Sequence, residues 1–165
     1  FSHVVSNFNP VDYNATKEDR KEAFLEALDF VLAHLKRLLK RFNYIHSCES
    51  LVAKAMKEGG EVLFFEKTIP WIESFFELGG EKHEARFVVM PAGPHWKLRG
   101  IPPSWKNRMK VRLPLPLQWA GLLVKDLEVE TGIKGAVFCH KERFTSVWET
   151  KDAALKALDW ILKNE

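Results

Sequence analysis

Residues 132–148 read Gly-Ile-Lys-Gly-Ala-Val-Phe-Cys-His-Lys-Glu-Arg-Phe-Thr-Ser-Val-Trp. Two short apolar runs, residues 136–140 and 144–148, flank the polar Lys-Glu-Arg segment in the middle of this stretch. Apolar runs on either side of a short polar segment predict two strands joined by a turn. The preceding block, residues 112–122, reads Arg-Leu-Pro-Leu-Pro-Leu-Gln-Trp-Ala-Gly-Leu, and we predict that a helix over about 117–130 connects it to the strands.

Four further strands are predicted on the amino-terminal side of this block. The run 61–67 is rich in Val, Leu and Phe and the run 86–90 is a second apolar run, whereas the runs 96–101 and 108–113 alternate apolar with charged residues. Alternation with a period of two places the charged side chains of a strand on one face. The runs 86–90 and 96–101 flank an Ala-Gly-Pro segment, and this arrangement predicts a hairpin.

Apolar residues recur at alternating steps of four and three from residue 16 to about residue 45, which predicts a long amphipathic helix. The stripe consists of Phe24, Leu28, Val31, Leu35, Leu38, Phe42 and Ile45. Two interpretations remain open, since such a stripe either faces a core within the domain or forms a coiled-coil seam between two chains. Shorter helices are predicted over 49–57 and after Thr150, a suitable N-cap, and residues 71–78 fit a helical turn or a strand.

These elements predict an α+β fold: a mixed, largely antiparallel sheet of about five or six strands packed by helices, with a long N-terminal helix. A chain of 165 residues that is 46% apolar is sufficient for one core. Residues 1–15 show no periodicity and predict a connector, and residues 16–165 predict a single domain. No apolar run approaches the ~20 residues that a membrane-spanning helix needs, so no membrane partner is expected.

The two cysteines, Cys48 and Cys139, lie far apart in the sequence and form no CxxC pair. This spacing argues against a disulfide framework and against a zinc knuckle. We therefore expect two buried free thiols in the cytoplasm or another reducing intracellular compartment. The chain begins at Phe1 and shows no secretory leader, so we expect a trimmed fragment of a longer protein.

Charge is distributed unevenly along the chain. Residues 85–125 contain eight basic and no acidic residues, which leaves 17 basic against 22 acidic residues elsewhere. Such separation of charge within one domain is typical of a surface that binds polyanions. The basic residues of the segment are Arg86, Lys97, Arg99, Lys106, Arg108, Lys110, Arg112 and Lys125.

The two predicted strands in which apolar and charged residues alternate would bring five of these cations close together. Lys97 and Arg99 are predicted on one face of the strand over 96–101, and Arg108, Lys110 and Arg112 on one face of the strand over 108–113. If the faces coincide, four or five cations converge on a site for phosphate oxygens. Trp105 lies in the intervening Pro-Pro-Ser-Trp-Lys loop and is the best candidate for stacking on a base. The alternative is a wetted face whose cations only keep the protein soluble.

Catalytic motifs are not evident. The six histidines lack the short spacings of helical metal sites, Ser47 and Ser146 lie in no Gly-x-Ser-x-Gly elbow, and no Gly-rich phosphate loop is present. His140, at the end of a predicted strand, is the one histidine that we retain as a candidate. The sequence thus predicts no catalytic and no metal-ligating residue in this chain.

The blocks at residues 112–122 and 132–140 resemble one family, the melanocyte-proliferating-gene proteins, an uncharacterised family of metal-dependent hydrolases. The resemblance implies a protein of the DHH phosphoesterase superfamily, with an amino-terminal catalytic half that binds manganese or magnesium. No Asp-His-His or Asp-His-Asp triplet occurs in this chain, which looks like the carboxy-terminal half only. His140 and Phe144 match the family pattern, whereas Ser146-Val147-Trp148 departs from the Gly-Gly-His type segment that holds substrate in the superfamily.

The resemblance implies that the chain is a non-catalytic, substrate-binding or domain-packing part of an enzyme similar to RNA exonucleases. The chain alone is expected not to be an enzyme, and its partners are expected to be its own DHH-type half and RNA or another phosphate-rich substrate. The alternative is a structural dimerisation or interaction module without nucleic-acid binding. The predicted substrate-binding residues are Lys97, Arg99, Trp105, Arg108, Lys110, Arg112 and His140.

Overall fold

Two compact units make up the chain in a computed structural model that describes residues 1–164, and the first unit is Phe1–His46. The second unit begins at Ser47. The first unit contains a short helix α1 (Ser2–Ser6), which lies inside the predicted connector, and almost all of the long helix α2 (Lys17–Ser47). The predicted long helix is therefore confirmed.

Helix α2 begins with the reciprocal hydrogen bonds of a capping box. The backbone N–H of Asp19 donates to the Thr16 hydroxyl at 3.1 Å, and the backbone N–H of Thr16 donates to the Asp19 carboxylate at 2.8 Å. The bonds from Thr16 lower the pKa of Asp19. Phe1 and Phe8 of the α1 region pack on Phe30, and none of the residues of α2 is buried.

A five-stranded mixed sheet forms the second unit, with the order β1-β2-β3-β5-β4. The strands are β1 (Val62–Phe64), β2 (Phe87–Ala92), β3 (His95–Gly100), β4 (Ala136–Cys139) and β5 (Thr145–Trp148). Only the β1–β2 pair is parallel. The hairpin predicted from residues 86–101 is present as β2–β3, and the predicted final pair of strands is β4–β5. The α+β class and the mixed, largely antiparallel sheet are thus confirmed.

Four helices accompany the sheet in the described part of the second unit: α3 (Glu49–Glu58), α4 (Ile72–Glu77), α5 (Val124–Thr131) and α6 (Lys151–Lys163). The first residue of α6 follows Thr150, whose hydroxyl accepts a hydrogen bond from the Ala153 N–H at 3.1 Å. Residues 71–78, which were ambiguous in the sequence, contain α4. Among residues 1–164, no helix has both the length and the apolar character needed to span a bilayer.

The sheet has a core on each face. On the first face, Val89, Leu98 and Trp148 pack with residues of α5 and α6. On the second face, Val88 and Met90 of β2 and Leu63 of β1 pack with residues of α3 and α4. The second core takes its strand residues from β1 and β2, and the same face of β3 and β5 is lined by half-buried side chains instead.

The prediction of a strand over 108–113 is wrong, because this segment belongs to a loop that contains several turns. The Asn107 N–H donates both to the backbone carbonyl and to the hydroxyl of Ser104, and the Lys110 N–H donates to the Asn107 carbonyl. Local bonds of this kind compete with a ladder of strand hydrogen bonds. The loop returns to the sheet where the Arg112 N–H donates to the Ile101 carbonyl at 2.8 Å.

The continuous helix predicted over 117–130 is also wrong. Only a 3-10 turn forms at Leu117–Trp119, and it is followed by Gly121, whose φ of 76° is in the left-handed region. Residues 121 and 122 then bond with Cys139 of β4 in both directions, at 3.1 and 2.9 Å, before α5 begins. The segment therefore extends the edge of the sheet, which a pattern of apolar residues cannot distinguish from a helix of the same length.

Candidate anion-binding site

Lys97 and Arg99 occupy alternate positions of β3 and project from the second face of the sheet. Their neighbours on β2 are Met90 and Val88, which are buried, and those on β5 are Val147 and Thr145. Both cations are half-buried. The strand thus holds two positive charges beside the apolar core of the second face rather than in open solvent.

The burial of this pair has an electrostatic consequence. Desolvation lowers the pKa of Lys97, and the charge of Arg99 lowers it further. Desolvation also lowers the pKa of Arg99. Among residues 1–164, no carboxylate lies within ion-pair distance of either side chain. Two like charges without a counter-charge are unfavourable for the folded protein, and a bound anion would remove that cost.

The turn between β4 and β5 brings an aromatic ring and an imidazole next to this pair. The guanidinium of Arg99 lies 5.9 Å from the centre of the Phe144 ring, and the His140 and Phe144 rings are 4.3 Å apart. The turn is closed by hydrogen bonds from the His140 N–H to the Thr145 carbonyl and from the Arg143 N–H to the His140 carbonyl. Lys97, Arg99, Phe144 and His140 therefore form a contiguous group, named here the Lys97–Arg99 site.

The orientation of His140 follows from one hydrogen bond. Its Nδ1 accepts from the backbone N–H of Glu142 at 3.1 Å. In the neutral imidazole, the proton is consequently assigned to Nε2, which becomes a donor. The Lys97–Arg99 site can thus offer an ammonium, a guanidinium, an imidazole N–H and a ring face, a combination suited to phosphate oxygens beside a planar group.

Trp105 and Arg108 form a separate pair in the loop over residues 102–113. The Arg108 guanidinium lies 4.1 Å from the centre of the Trp105 ring, and this ring meets Phe76 edge-on at 6.3 Å. Trp105 is 39% exposed, and Lys110 is exposed. Within residues 1–164, no hydrogen bond, ion pair or ring contact joins this pair to the Lys97–Arg99 site.

Arg112 is surrounded by backbone carbonyls. Its guanidinium donates four hydrogen bonds and lies 5.5 Å from the centre of the Phe75 ring. The acceptors are the carbonyl oxygens of Gly80, His83, Ala85 and Pro102, at distances of 2.5 to 3.2 Å. With most of its five N–H donors occupied, Arg112 ties the loop to residues 80–85, and we do not include it in the Lys97–Arg99 site.

Sequence reasoning did not include Phe144 among the site residues. The available signal was its position directly before β5, in the turn that also carries His140. The Phe144 carbonyl accepts a hydrogen bond from the Gly100 N–H at 2.9 Å, which fixes the ring beside the end of β3. A cross-strand register is needed to see this proximity, and the sequence does not specify which strand pairs with β3.

Among residues 1–164, no three His, Cys, Asp or Glu side chains lie together as a group that could hold a metal ion. Burial raises the pKa of the Cys139 thiol to about 11, although Arg143 opposes the shift. A thiol with this pKa is mostly protonated at neutral pH and is a weak nucleophile.

The comparisons with known proteins agree on one family. The MYG1_exonuc family model, described as "Uncharacterised protein family (UPF0160)", matches residues 1–159. A MYG1 protein of Chlamydia pneumoniae is 44% identical over 164 residues, which are 99% of this chain and 56% of that relative. A MYG1 exonuclease of Mus musculus is 31% identical over 167 residues, 92% of this chain and 42% of that relative.

A MYG1 exonuclease of Homo sapiens is 30% identical over 167 residues, 92% of this chain and 43% of that relative. The chain thus spans about half the length of the curated relatives it matches. No solved structure matches the chain significantly. On the family match and the identities together, the chain belongs to the MYG1 family, UPF0160.

Proposed function

We propose that this chain is the non-catalytic, carboxy-terminal part of a DHH-type, metal-dependent phosphoesterase that acts as an exonuclease, and that it holds the phosphate backbone of an RNA substrate. The observation that carries the proposal is the pair of half-buried cations, Lys97 and Arg99, which have no carboxylate partner among the described residues. The names of the mouse and human relatives, which are exonucleases, support the choice of substrate class.

The chemistry of the Lys97–Arg99 site supports a nucleic-acid backbone as the ligand. Phosphate oxygens accept charge-assisted hydrogen bonds from ammonium and guanidinium groups and displace condensed counterions when they bind. The Phe144 ring has Arg99 over it and His140 packed 4.3 Å away, so a base would stack on the part of the ring that they leave uncovered or would displace one of them. Stacking of this kind contributes ~1–3 kcal/mol per base. His140 would donate from Nε2 to a further oxygen of the same ligand.

Trp105, Arg108 and Lys110 would contact the substrate at a second position along the strand. The Arg108 guanidinium covers one face of the Trp105 ring, so stacking on a base requires the other face or displacement of Arg108. Lys106 also lies in this loop and is exposed. In the proposal, the loop adds affinity for a longer strand, and the Lys97–Arg99 site holds the nearest phosphates.

The proposal assigns catalysis to residues outside this chain. In the relatives, about half of the length has no counterpart in the 165 residues, and we assign the manganese or magnesium ligands and water activation to that portion. Bound there, the metal would activate a water molecule for hydrolysis of the phosphodiester. The residues of this chain would hold the substrate strand in register while that reaction occurs.

An activity measurement on the isolated chain tests this division of labour. The chain is incubated with a labelled single-stranded RNA, with manganese and then with magnesium, and products are separated on a denaturing gel. The proposal predicts binding of the RNA without cleavage. Turnover that copurifies with the chain and is abolished by His140→Ala would contradict the proposal, because chemistry would then reside in this chain.

The alternative function, a structural interaction module without nucleic-acid binding, gives a different result in the same system. It predicts no measurable binding of single-stranded RNA at low salt by the intact chain. The comparison uses Lys97→Met with Arg99→Met against a control with the same charge change, Lys125→Met with Lys134→Met, because both control lysines are exposed. Absence of binding by the intact chain favours the alternative, whereas binding with equal affinity in the two double variants would contradict the Lys97–Arg99 site.

A further inference from the structure

Helix α2 carries a wide apolar face that is not buried in the described chain. Nine large apolar residues lie between positions 24 and 42 on adjacent positions of the helix surface. They are Phe24, Leu25, Leu28, Val31, Leu32, Leu35, Leu38, Leu39 and Phe42, and eight of them are 40% to 65% exposed. A contiguous apolar face of this extent is typical of an interaction surface.

The first unit covers only one side of this helix with its own residues. Phe1 packs on Phe30 and His34, and Phe8 packs on Phe30. Phe30 and His34 flank the apolar face, and one edge of the face itself, at Phe24 and Val31, lines a cavity with residues of the α1 region. The central line of the face consists of Phe24, Leu28, Val31, Leu35, Leu38 and Phe42. Val31 is half-buried, and the other five residues keep 40% to 65% exposure.

The central line of the apolar face has the same spacing when it is read in either direction. It has steps of four, three, four, three and four, from Phe24 through Leu28, Val31, Leu35 and Leu38 to Phe42. Reversal of the helix superposes Phe on Phe, Leu on Leu and Val on Leu. A surface with this property can pair with a second copy of itself around a twofold axis, as isologous interfaces require.

Charge along α2 favours the antiparallel arrangement of two copies. Residues 18–29 contain five acidic and two basic residues, whereas residues 30–46 contain four basic and no acidic residues. A parallel pair would align like charges, and an antiparallel pair would align the acidic half of each helix with the basic half of the other. The helix dipoles add to this preference. Asp29 would then lie opposite the partner's Lys36, on the border of the apolar face.

From this complementarity we propose that α2 is a homodimerisation helix that pairs with α2 of a second copy in antiparallel orientation. The twofold axis passes near residue 33, between Val31 and Leu35. Phe24 packs against the partner's Phe42, Leu28 against the partner's Leu38, and Val31 against the partner's Leu35. The proposal is independent of RNA binding, since the interface involves no residue of the Lys97–Arg99 site.

Sedimentation of the 165-residue chain over a range of concentrations gives the first test. A reversible dimer is expected, and Leu35→Glu is expected to abolish it because the charge would be buried beside its symmetry mate. Ala33→Glu, which adds the same charge on the opposite side of α2, is the control and leaves the dimer intact. A monomer at every concentration overturns the proposal, as does a dimer that persists in Leu35→Glu.

Charge exchange separates loss of pairing from loss of folding. Asp29→Lys alone and Lys36→Asp alone each create two like-charge contacts and are expected to weaken the dimer ~10-fold. An equimolar mixture of the two variants restores every opposite-charge contact, so its dissociation constant returns to that of the original protein. Failure of the mixture to recover, with both variants folded by circular dichroism, contradicts the proposed pairing.

Disulfide trapping determines the direction of the helices. In the antiparallel dimer, residue 24 of one chain lies near residue 42 of the other, whereas the two copies of residue 24 are about 27 Å apart. Phe24→Cys mixed with Phe42→Cys is therefore expected to form a mixed disulfide under mild oxidation, and neither variant crosslinks with itself. A disulfide between two Phe24→Cys chains shows a parallel pair and overturns the proposal.

Discussion

Lys97 is a residue whose burial destabilises the folded protein and which we expect to bind the substrate. Its ammonium is half-buried, close to Arg99 and without a carboxylate partner among the described residues, and these features lower its pKa. The folded state thus holds the proton of Lys97 less tightly than the unfolded chain does. Sites that bind charged ligands commonly accept such a cost.

The first prediction follows from that pKa. Lys97→Met removes the buried charge, so we expect the free energy of unfolding to be unchanged or higher at pH 7 while affinity for RNA falls. The penalty is fully present below the lowered pKa of Lys97 and disappears as the pH rises toward 10.5, the ordinary value. The stability gap between the two proteins should therefore narrow at alkaline pH. Urea unfolding at a series of pH values measures it.

A matched substitution controls for a general effect of net charge on stability and on RNA affinity. Lys134→Met changes the net charge equally at an exposed position in the turn before β4. It should alter neither the RNA affinity nor the pH dependence of unfolding. A Lys97→Met protein that is less stable than the original at pH 7 would show that the lysine contributes favourable contacts. That result would contradict the interpretation that burial of the Lys97 charge destabilises the folded protein.

The second prediction concerns Arg112, which we expect to contribute to stability and not to RNA binding. Its hydrogen bonds to four carbonyls cannot be reproduced by a single ammonium group. Arg112→Lys should lower the free energy of unfolding by about 2–4 kcal/mol, because buried carbonyls lose their donors. RNA affinity, measured where the variant is folded, should be nearly unchanged. Normal stability with lost affinity would instead assign Arg112 to phosphate binding.

At the level of elements, the loop over residues 102–113 depends on close approach to the end of β3. A Cβ atom on Gly100 would lie 2.9 Å from side-chain atoms of Val111 and 3.2 Å from the Leu113 carbonyl oxygen. The glycine is needed here for space, since its φ is not in the left-handed region. The absence of a side chain thus allows the basic loop to pass over the sheet.

The third prediction uses this contact. Gly100→Ala should destabilise the protein by about 1–3 kcal/mol, because the added methyl group overlaps Val111 and the backbone at residue 113. Val111→Ala in the same chain should recover part of the loss by making room. Thermal unfolding of the two single variants and the double variant measures the coupling. Strictly additive effects would mean that the loop does not approach β3 this closely.

Helix α2 and the two hairpins could be predicted because their signals are local. The steps of four and three that define α2 and the paired apolar runs of β2–β3 and β4–β5 require no knowledge of distant residues. The segment over 108–113 failed because its alternation arises from Arg112 reaching carbonyls of residues 80–102, contacts that lie far apart in the sequence. The periodicity of apolar residues indicates which faces of a helix or strand differ in polarity, but it does not indicate what each face contacts.

The candidate site was partly predictable for the same reason. Alternation within β3 correctly placed Lys97 and Arg99 on one face. The expectation that cations of a second strand would join them failed, since residues 108–112 lie in a loop and Arg112 is occupied by carbonyls. Phe144 came to the site through the pairing of β3 with β5, a long-range register that no local pattern specifies.

For the molecule as a whole, we propose that this chain holds the substrate and that another part of the protein cleaves it. The MYG1 family assignment covers residues 1–159, while the chain spans about half of each curated relative. In the proposed arrangement, the part that holds the substrate would add affinity without constraining the catalytic groups of the other part. The half-buried Lys97 and Arg99 would gain a counter-charge when an anionic strand binds.

The most direct test is the salt dependence of RNA binding by the intact chain and by the double variant Lys97→Met with Arg99→Met. Each phosphate neutralised on a single strand contributes a slope of about −0.7 to the plot of log affinity against log salt concentration, so loss of two contacts should flatten the slope by about 1.4. The account predicts this difference, with weaker binding of the variant at low salt. Identical slopes and affinities for the two proteins would contradict it.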